Sequence, residues 1–280
     1  MTSSLPEKGT IKETINNYCS LKGISKNELA VQLGVSSAVL SQIERGNWEN
    51  IHERMWRKVW NKVNVESSVE VTIETRDFRA VITACENARK NRFMIGIIGD
   101  TGTGKTTALT TAALRKNTFY VSYEKSMKPK QFFAALLKEM GVAFEGSIHE
   151  MVTKITDELN TLSNPLVIID EAGKITHTVV LYMHVIRDKT KKNCGIVLGG
   201  MPYFKNNLIK FANKQKEGVA EFLRRIMVWH ELTGLSRIEV KTICQAYGIT
   251  DEEIIRSMYN KKLFGDLYNA ILLHQLELEN

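Results

Sequence analysis

A chain of 280 residues, 43% hydrophobic and 25% charged, has the composition of a globular protein, with length for one large domain beside a small one. No apolar run approaches the roughly 20 residues that span a bilayer, and Met1–Gly9 has no apolar segment of a signal peptide, so a cytoplasmic protein with no membrane partner is expected. The four cysteines lie far apart with no CxxC pair, which argues against a metal knuckle or disulfide framework, and the net charge of +7 suits a polyanionic partner if the charges sit where a binding element presents them.

From Ile11 to Val63, apolar residues recur at helical spacing in short blocks. Ser25-Lys26-Asn27-Glu28 is a capping box that opens one helix, which runs through Leu33 and stops at Gly34. A second helix starts at Ser36, turns Val39, Leu40 and Ile43 inward, and ends near Gly46. Two short helices around a glycine-containing turn make a helix-turn-helix, expected within a domain over residues 1–65. The run ISKNELAVQLGVSSAVLSQIERG resembles the repressor/Cro type. That resemblance implies a recognition helix at 36–45, with Ser37, Ser41, Gln42 and Arg45 facing a DNA groove or its phosphates. A helical bundle used for protein contacts is the alternative. Trp48, Trp56 and Trp60 are expected in the bundle core.

The helical, Trp-rich pattern gives way at 64–74 to VESSVEVTIET, a linker or short strand. Beyond it, helices alternate with the strand-like runs MIGIIG (94–99), TFYVSY (118–123), PLVIID (165–170) and GIVLGG (195–200). Such alternation predicts an α/β fold, a parallel sheet wrapped by helices, as the core over 75–210. From about Lys205 the strand signals stop, and 211–280 reads as helices only.

Gly99-Asp100-Thr101-Gly102-Thr103-Gly104-Lys105-Thr106 matches GxxxxGK[ST] between the first strand and a helix that opens at Thr107. Glycines let backbone N–H groups curl around phosphate oxygens, and the helix N-terminus favours negative charge. Residues 99–107 are thus the expected ATP-binding set, with Lys105 bridging the β- and γ-phosphates and Thr106 ligating Mg²⁺. The third strand ends in Asp170-Glu171: Asp170 can hold the magnesium shell, and Glu171 can orient and deprotonate an attacking water. The fourth strand ends in Leu198-Gly199-Gly200, without the polar residue that senses the γ-phosphate in related ATPases. That sensor is missing or supplied elsewhere.

The order of helix-turn-helix, RFMIGIIGDTGTGKTTAL, FYVSYEKSMKPKQFFAALLKEMG, LVIIDEAGKITHTVVLYMHVIRDKT, GIVLGGMP and EFLRRI resembles the AAA+ ATPases of DNA transposition, the group of MuB, TnsC and TniB, over about residues 75–270. The resemblance implies an ATPase that binds duplex DNA non-specifically with ATP, assembles on it as a homo-oligomeric filament or ring, and delivers target DNA to a transposase. It also implies a helical lid at 211–280 and an arginine completing the neighbouring subunit's site, here Arg224 or Arg225. Inward loops that meet DNA would correspond to Lys125, Lys128 and Lys130, and to Lys189, Lys191 and Lys192. The lid's sensor arginine is absent, since Tyr268 follows Gly265-Asp266-Leu267. Two rival readings share these motifs: a helicase loader of the IstB and DnaC type, and a transcription regulator gated by ATP.

Overall fold

The computed structural model describes residues 5–64 and 73–278, so most of the expected linker or strand at 64–74 lies outside the described residues. The first four helices are α1 (Lys8–Lys22), α2 (Lys26–Leu33), α3 (Ser37–Arg45) and α4 (Glu53–Val63). The Ser25 capping box is formed: Glu28 N–H donates to Ser25 Oγ at 3.2 Å, and Ser25 N–H donates to Glu28 Oε2 at 2.6 Å. Gly34 (φ +64°) and Gly46 (φ +79°) end α2 and α3 in the left-handed region, which glycine enters at little steric cost. Ile11, Leu29, Leu40, Ile43, Trp56 and Val59 are buried together, with Trp48 and Trp60 packed against them.

The next elements are α5 (Arg76–Asn91), β1 (Met94–Ile98), α6 (Lys105–Ala112), β2 (Thr118–Ser122), α7 (Pro129–Glu139), α8 (Ile148–Thr161), β3 (Leu166–Asp170), α9 (His177–Thr190), β4 (Gly195–Gly200), α10 (Pro202–Asn213) and α11 (Val219–Arg225). A fifth strand, β5 (Ile226–Glu231), follows directly. The sheet order is β2-β3-β4-β1-β5, with all four pairings parallel. Each of the four expected strands is present. β5 corrects the expectation that strands stop near Lys205. As an edge strand it leaves Met227 and Val228 exposed, and its short apolar run at 226–229 follows α11 with no turn residue between, so the helical pattern runs straight into it. It fits because Gly96 on β1 has no side chain: a Cβ there would lie 2.1 Å from the Trp229 ring. The main core extends through Val219, Phe222 and Ile226, past the expected boundary at 210.

Helices α12 (Arg237–Ala246), α13 (Glu252–Ser257) and α14 (Phe264–Leu278) bury a separate apolar cluster that includes Val240, Ile243, Leu267 and Ile271. Buried Asp77, at the start of α5, accepts from Thr233 N–H at 3.0 Å and Gly234 N–H at 2.7 Å, fastening the entry to this unit. At the amino ends of the strands the N-terminal bundle meets the sheet layer. Lys22, 5% exposed, donates to Ala113 O at 2.6 Å and Thr118 O at 2.9 Å. Gln32 Nε2 donates to Glu139 O at 2.7 Å, and Lys62 pairs with the Glu139 carboxylate at 3.0 Å.

Candidate functional site

The carboxyl ends of β1, β3 and β4 lie side by side, where ligands bind in open α/β sheets. After β1 the chain turns through Gly102 (φ +85°) and Gly104 (φ +83°) into α6, a turn that a side chain at either position would strain. The N–H groups of Gly102, Gly104, Lys105 and Thr106 donate to no carbonyl or side chain among the described residues. Helix α6 has no side-chain cap, as is true also of α1, α10 and α11, whereas α2, α3, α4, α5, α8, α9, α12 and α13 have one. Open amides at an uncapped helix start are what an anion needs. Asp100, Thr101, Thr106 and Thr107 are exposed around the loop, and Thr103 Oγ1 donates to Asp100 O at 2.8 Å.

Lys105 is 8% exposed, and its ammonium donates to Gly99 O at 2.6 Å, Asp100 O at 2.8 Å and Thr103 Oγ1 at 3.3 Å. Burial lowers its pKa, opposed by the charges of Asp170, Glu171 and Asp100. Asp170 is 2% exposed and accepts from Thr106 Oγ1 at 2.7 Å and Tyr120 OH at 3.0 Å on Oδ2, and from Glu171 N–H at 2.8 Å on Oδ1. Burial, then the Asp170 charge, raises the Tyr120 pKa, so the hydroxyl stays a donor. Glu171 sits in the left-handed region (φ +55°), and its carboxylate meets Lys174 at 3.0 Å.

The absent polar side chain at the end of β4 has a steric basis. A Cβ on Gly199 would lie 2.7 Å from Leu109 Cδ1 and 3.1 Å from Asp170 Oδ1. Helix α14 reaches the loop through backbone instead: Gly265 N–H donates to Gly102 O at 3.0 Å. No group of three or more His, Cys, Asp and Glu side chains suited to a metal occurs among the described residues. A hydroxyl and a carboxylate converging at 2.7 Å fit Mg²⁺, which takes one or two protein oxygens and completes its shell with water and phosphate.

The remaining expected residues fall in different places. Arg225 is clamped to Asp188 by two hydrogen bonds, 2.7 and 2.8 Å, whereas Arg224 is exposed with no partner among the described residues. Lys125, Lys128 and Lys130 are exposed beyond the carboxyl end of β2, and Lys189, Lys191 and Lys192 are exposed before the amino end of β4. With every strand parallel, these two segments lie at opposite ends of the sheet and do not form one face. Nor are both loops, as expected. Lys130 is in the first turn of α7 and Lys189 in the last turn of α9, because Pro129 at the first helical position starts a helix rather than breaking one. On α3, Ser37, Ser41 and Arg45 form one exposed row at four-residue spacing, with Gln42 half-buried beside it.

Tyr120, Lys174 and Asp188 were not anticipated from the sequence. Tyr120 alone left a signal, a polar handle inside an apolar strand run.

Residues 88–208 match the AAA domain family. Among solved structures, the ORC2 protein of Aeropyrum pernix (ADPNP–ADP complexes) is 15% identical with a TM-score of 0.54, over 75% of this chain and 63% of that one. The ORC1 protein of Aeropyrum pernix in complex with DNA is 14% identical at TM-score 0.52, over 76% and 61%. The replication initiator DnaA bound to AMPPCP and single-stranded DNA is 18% identical at TM-score 0.50, over 75% and 64%. The chain thus spans less than two thirds of the length of these structures. No curated protein sequence matches it. Loop, acidic strand end and five-stranded parallel sheet together define a P-loop AAA+ fold.

Proposed function

We propose that this chain is an ATPase that binds ATP with Mg²⁺ at residues 99–107 and uses it to control assembly on DNA. The observation that carries this reading is the row of open N–H groups at the uncapped start of α6, beside the Thr106–Asp170 pair. Lys105 would leave its carbonyl partners for the β- and γ-phosphates, and the open amides would hold phosphate oxygens. Mg²⁺ held near Thr106 and Asp170 would neutralise charge on those oxygens. Glu171, once free of Lys174, would take the proton from an attacking water. In a homo-oligomer, Arg224 would reach the adjoining subunit's site, since Arg225 is engaged by Asp188.

The DNA reading rests on the exposed lysines and on the α3 row. On a similar fold, ORC1 was solved in complex with DNA and DnaA bound to single-stranded DNA. Lys125, Lys128 and Lys130 border the nucleotide end, so phosphate contacts there would answer to ATP. The N-terminal helix-turn-helix would then present Ser37, Ser41, Gln42 and Arg45 to a second stretch of duplex. Delivery of target DNA to a transposase is the finer proposal, supported by the motif order alone. Binding of a fluorescent ATP analogue tests the first step. Wild type should bind with Mg²⁺ and Lys105→Ala should not, whereas equal binding would remove the site from residues 99–107. Electron microscopy with duplex DNA should show filaments or rings with ATP and none without nucleotide.

A further inference from the structure

Asp170 closes β3, yet β3 is not β1's neighbour: β4 stands between them. The carboxylate must therefore be aimed across the end of β4 towards α6, and β4 helps only by having no side chain at Gly199. What aims it is a set of three donors. Thr106 Oγ1 at 2.7 Å and Tyr120 OH at 3.0 Å both reach Oδ2, and Glu171 N–H at 2.8 Å reaches Oδ1. An ionised carboxylate offers about four acceptor positions, two on each oxygen. Oδ2 is filled and one position on Oδ1 is left. Thr106 approaches from the phosphate loop, and Tyr120 stands in β2, the strand on the other side of β3. The two hydroxyls thus meet on Oδ2, one from the helix and one from the strand.

We propose that Tyr120 is a positioning residue for the metal side of this site: its hydroxyl fixes the rotation of the Asp170 carboxylate, so that the free position of Oδ1 faces the nucleotide end. The inference rests on the ATP reading above. Without the hydroxyl, Oδ2 keeps only Thr106, and the carboxylate turns about its Cβ–Cγ bond. The ring has a separate role, packing against the apolar cluster of Ile95, Leu109, Leu166 and Ile168. Tyr120→Phe therefore removes the positioning and keeps the packing. Outer partners of metal-binding carboxylates typically contribute about 10- to 100-fold in metal affinity or activity. Because Thr106 and Glu171 N–H remain, the lower end applies.

The test is a Mg²⁺ titration of nucleotide binding at fixed ADP analogue, read by fluorescence, in wild type and Tyr120→Phe, with a parallel measurement in EDTA. The Mg²⁺ midpoint of Tyr120→Phe should rise about tenfold, with EDTA affinity unchanged. In an Asp170→Asn background the same substitution should add nothing. An unchanged Mg²⁺ midpoint overturns the positioning role. So does an equal loss of affinity in EDTA, which marks general damage. A wild type that binds no nucleotide in either condition instead overturns the ATP reading, a result distinct from both.

Discussion

At the carboxyl ends of the strands, a run of backbone N–H groups has no partner among the described residues, Lys105 is held by loop carbonyls, and Asp170 by Thr106 and Tyr120. At the amino ends, polar groups from distant segments saturate one another. Lys22 caps Ala113, the residue that ends α6, and Thr118, which begins β2, while Gln32 and Lys62 close on Glu139. One helix, α6, spans the difference: its N-terminus is uncapped and its C-terminus carries a buried cation, a favourable arrangement for the helix dipole at both ends once an anion binds. Unpaired donors cost stability unless water or a ligand reaches them, so the open end marks where this fold keeps capacity for a partner. The closed end marks where the N-terminal bundle is fastened.

Breaking the open end should give the largest effects. Lys105→Ala should remove nucleotide binding, because the phosphate charge loses its cation. Equilibrium binding of a labelled ATP analogue checks it. Glu171→Gln should retain that binding and reduce steady-state phosphate release by about 10²-fold or more, the scale of a lost general base. Normal turnover would remove Glu171 from the water-activating role.

Arg224→Ala should lower turnover at least tenfold in assembled protein without changing nucleotide affinity, a fraction of the 10³- to 10⁵-fold range of arginine fingers. Arg225→Ala should act differently, loosening α11 against Asp188 and lowering the melting temperature. Mixing Arg224→Ala with Lys105→Ala subunits should restore part of the activity if the sites are shared. No recovery at any ratio contradicts the shared arrangement.

The closed end has a smaller effect with a distinct pH signature. Burial lowers the Lys22 pKa to about 8 from an ordinary 10.5. The folded state therefore holds this proton less tightly than the unfolded chain, and the group's contribution to stability grows as pH rises through that window. Lys22→Met leaves two carbonyls unpaired and should cost about 1–2 kcal/mol at pH 7.5. The gap to wild type should widen between pH 8 and 10, read from denaturant midpoints. A constant gap would mean that Lys22 is not buried in solution.

The open end was legible because it is local. Residues 99–106 supply their own N–H groups in sequence order, and the apolar run before them fixes the strand. Asp170 was legible as the polar end of a buried run. The closed end was not, since Lys22 meets partners 91 and 96 residues away, and nothing in a lysine at a helix end foretells them. β5 escaped for a related reason: its place depends on Gly96 opposite Trp229, a relation between strands far apart in sequence. The two lysine segments read alike in sequence, and only the parallel register separates them.

On the proposed function, the nucleotide end governs DNA binding. Fluorescence anisotropy of a random-sequence duplex, titrated with protein in ATP, ADP or no nucleotide, tests it most directly. Binding should be tightest with ATP. Lys125→Ala with Lys128→Ala should weaken it more than deletion of residues 1–64 does, with the log–log salt slope falling by roughly two for the two lost phosphate contacts. Binding that ignores the nucleotide, or that vanishes on the deletion while the double substitution leaves it intact, would contradict the claim and move the DNA site to the N-terminal helices.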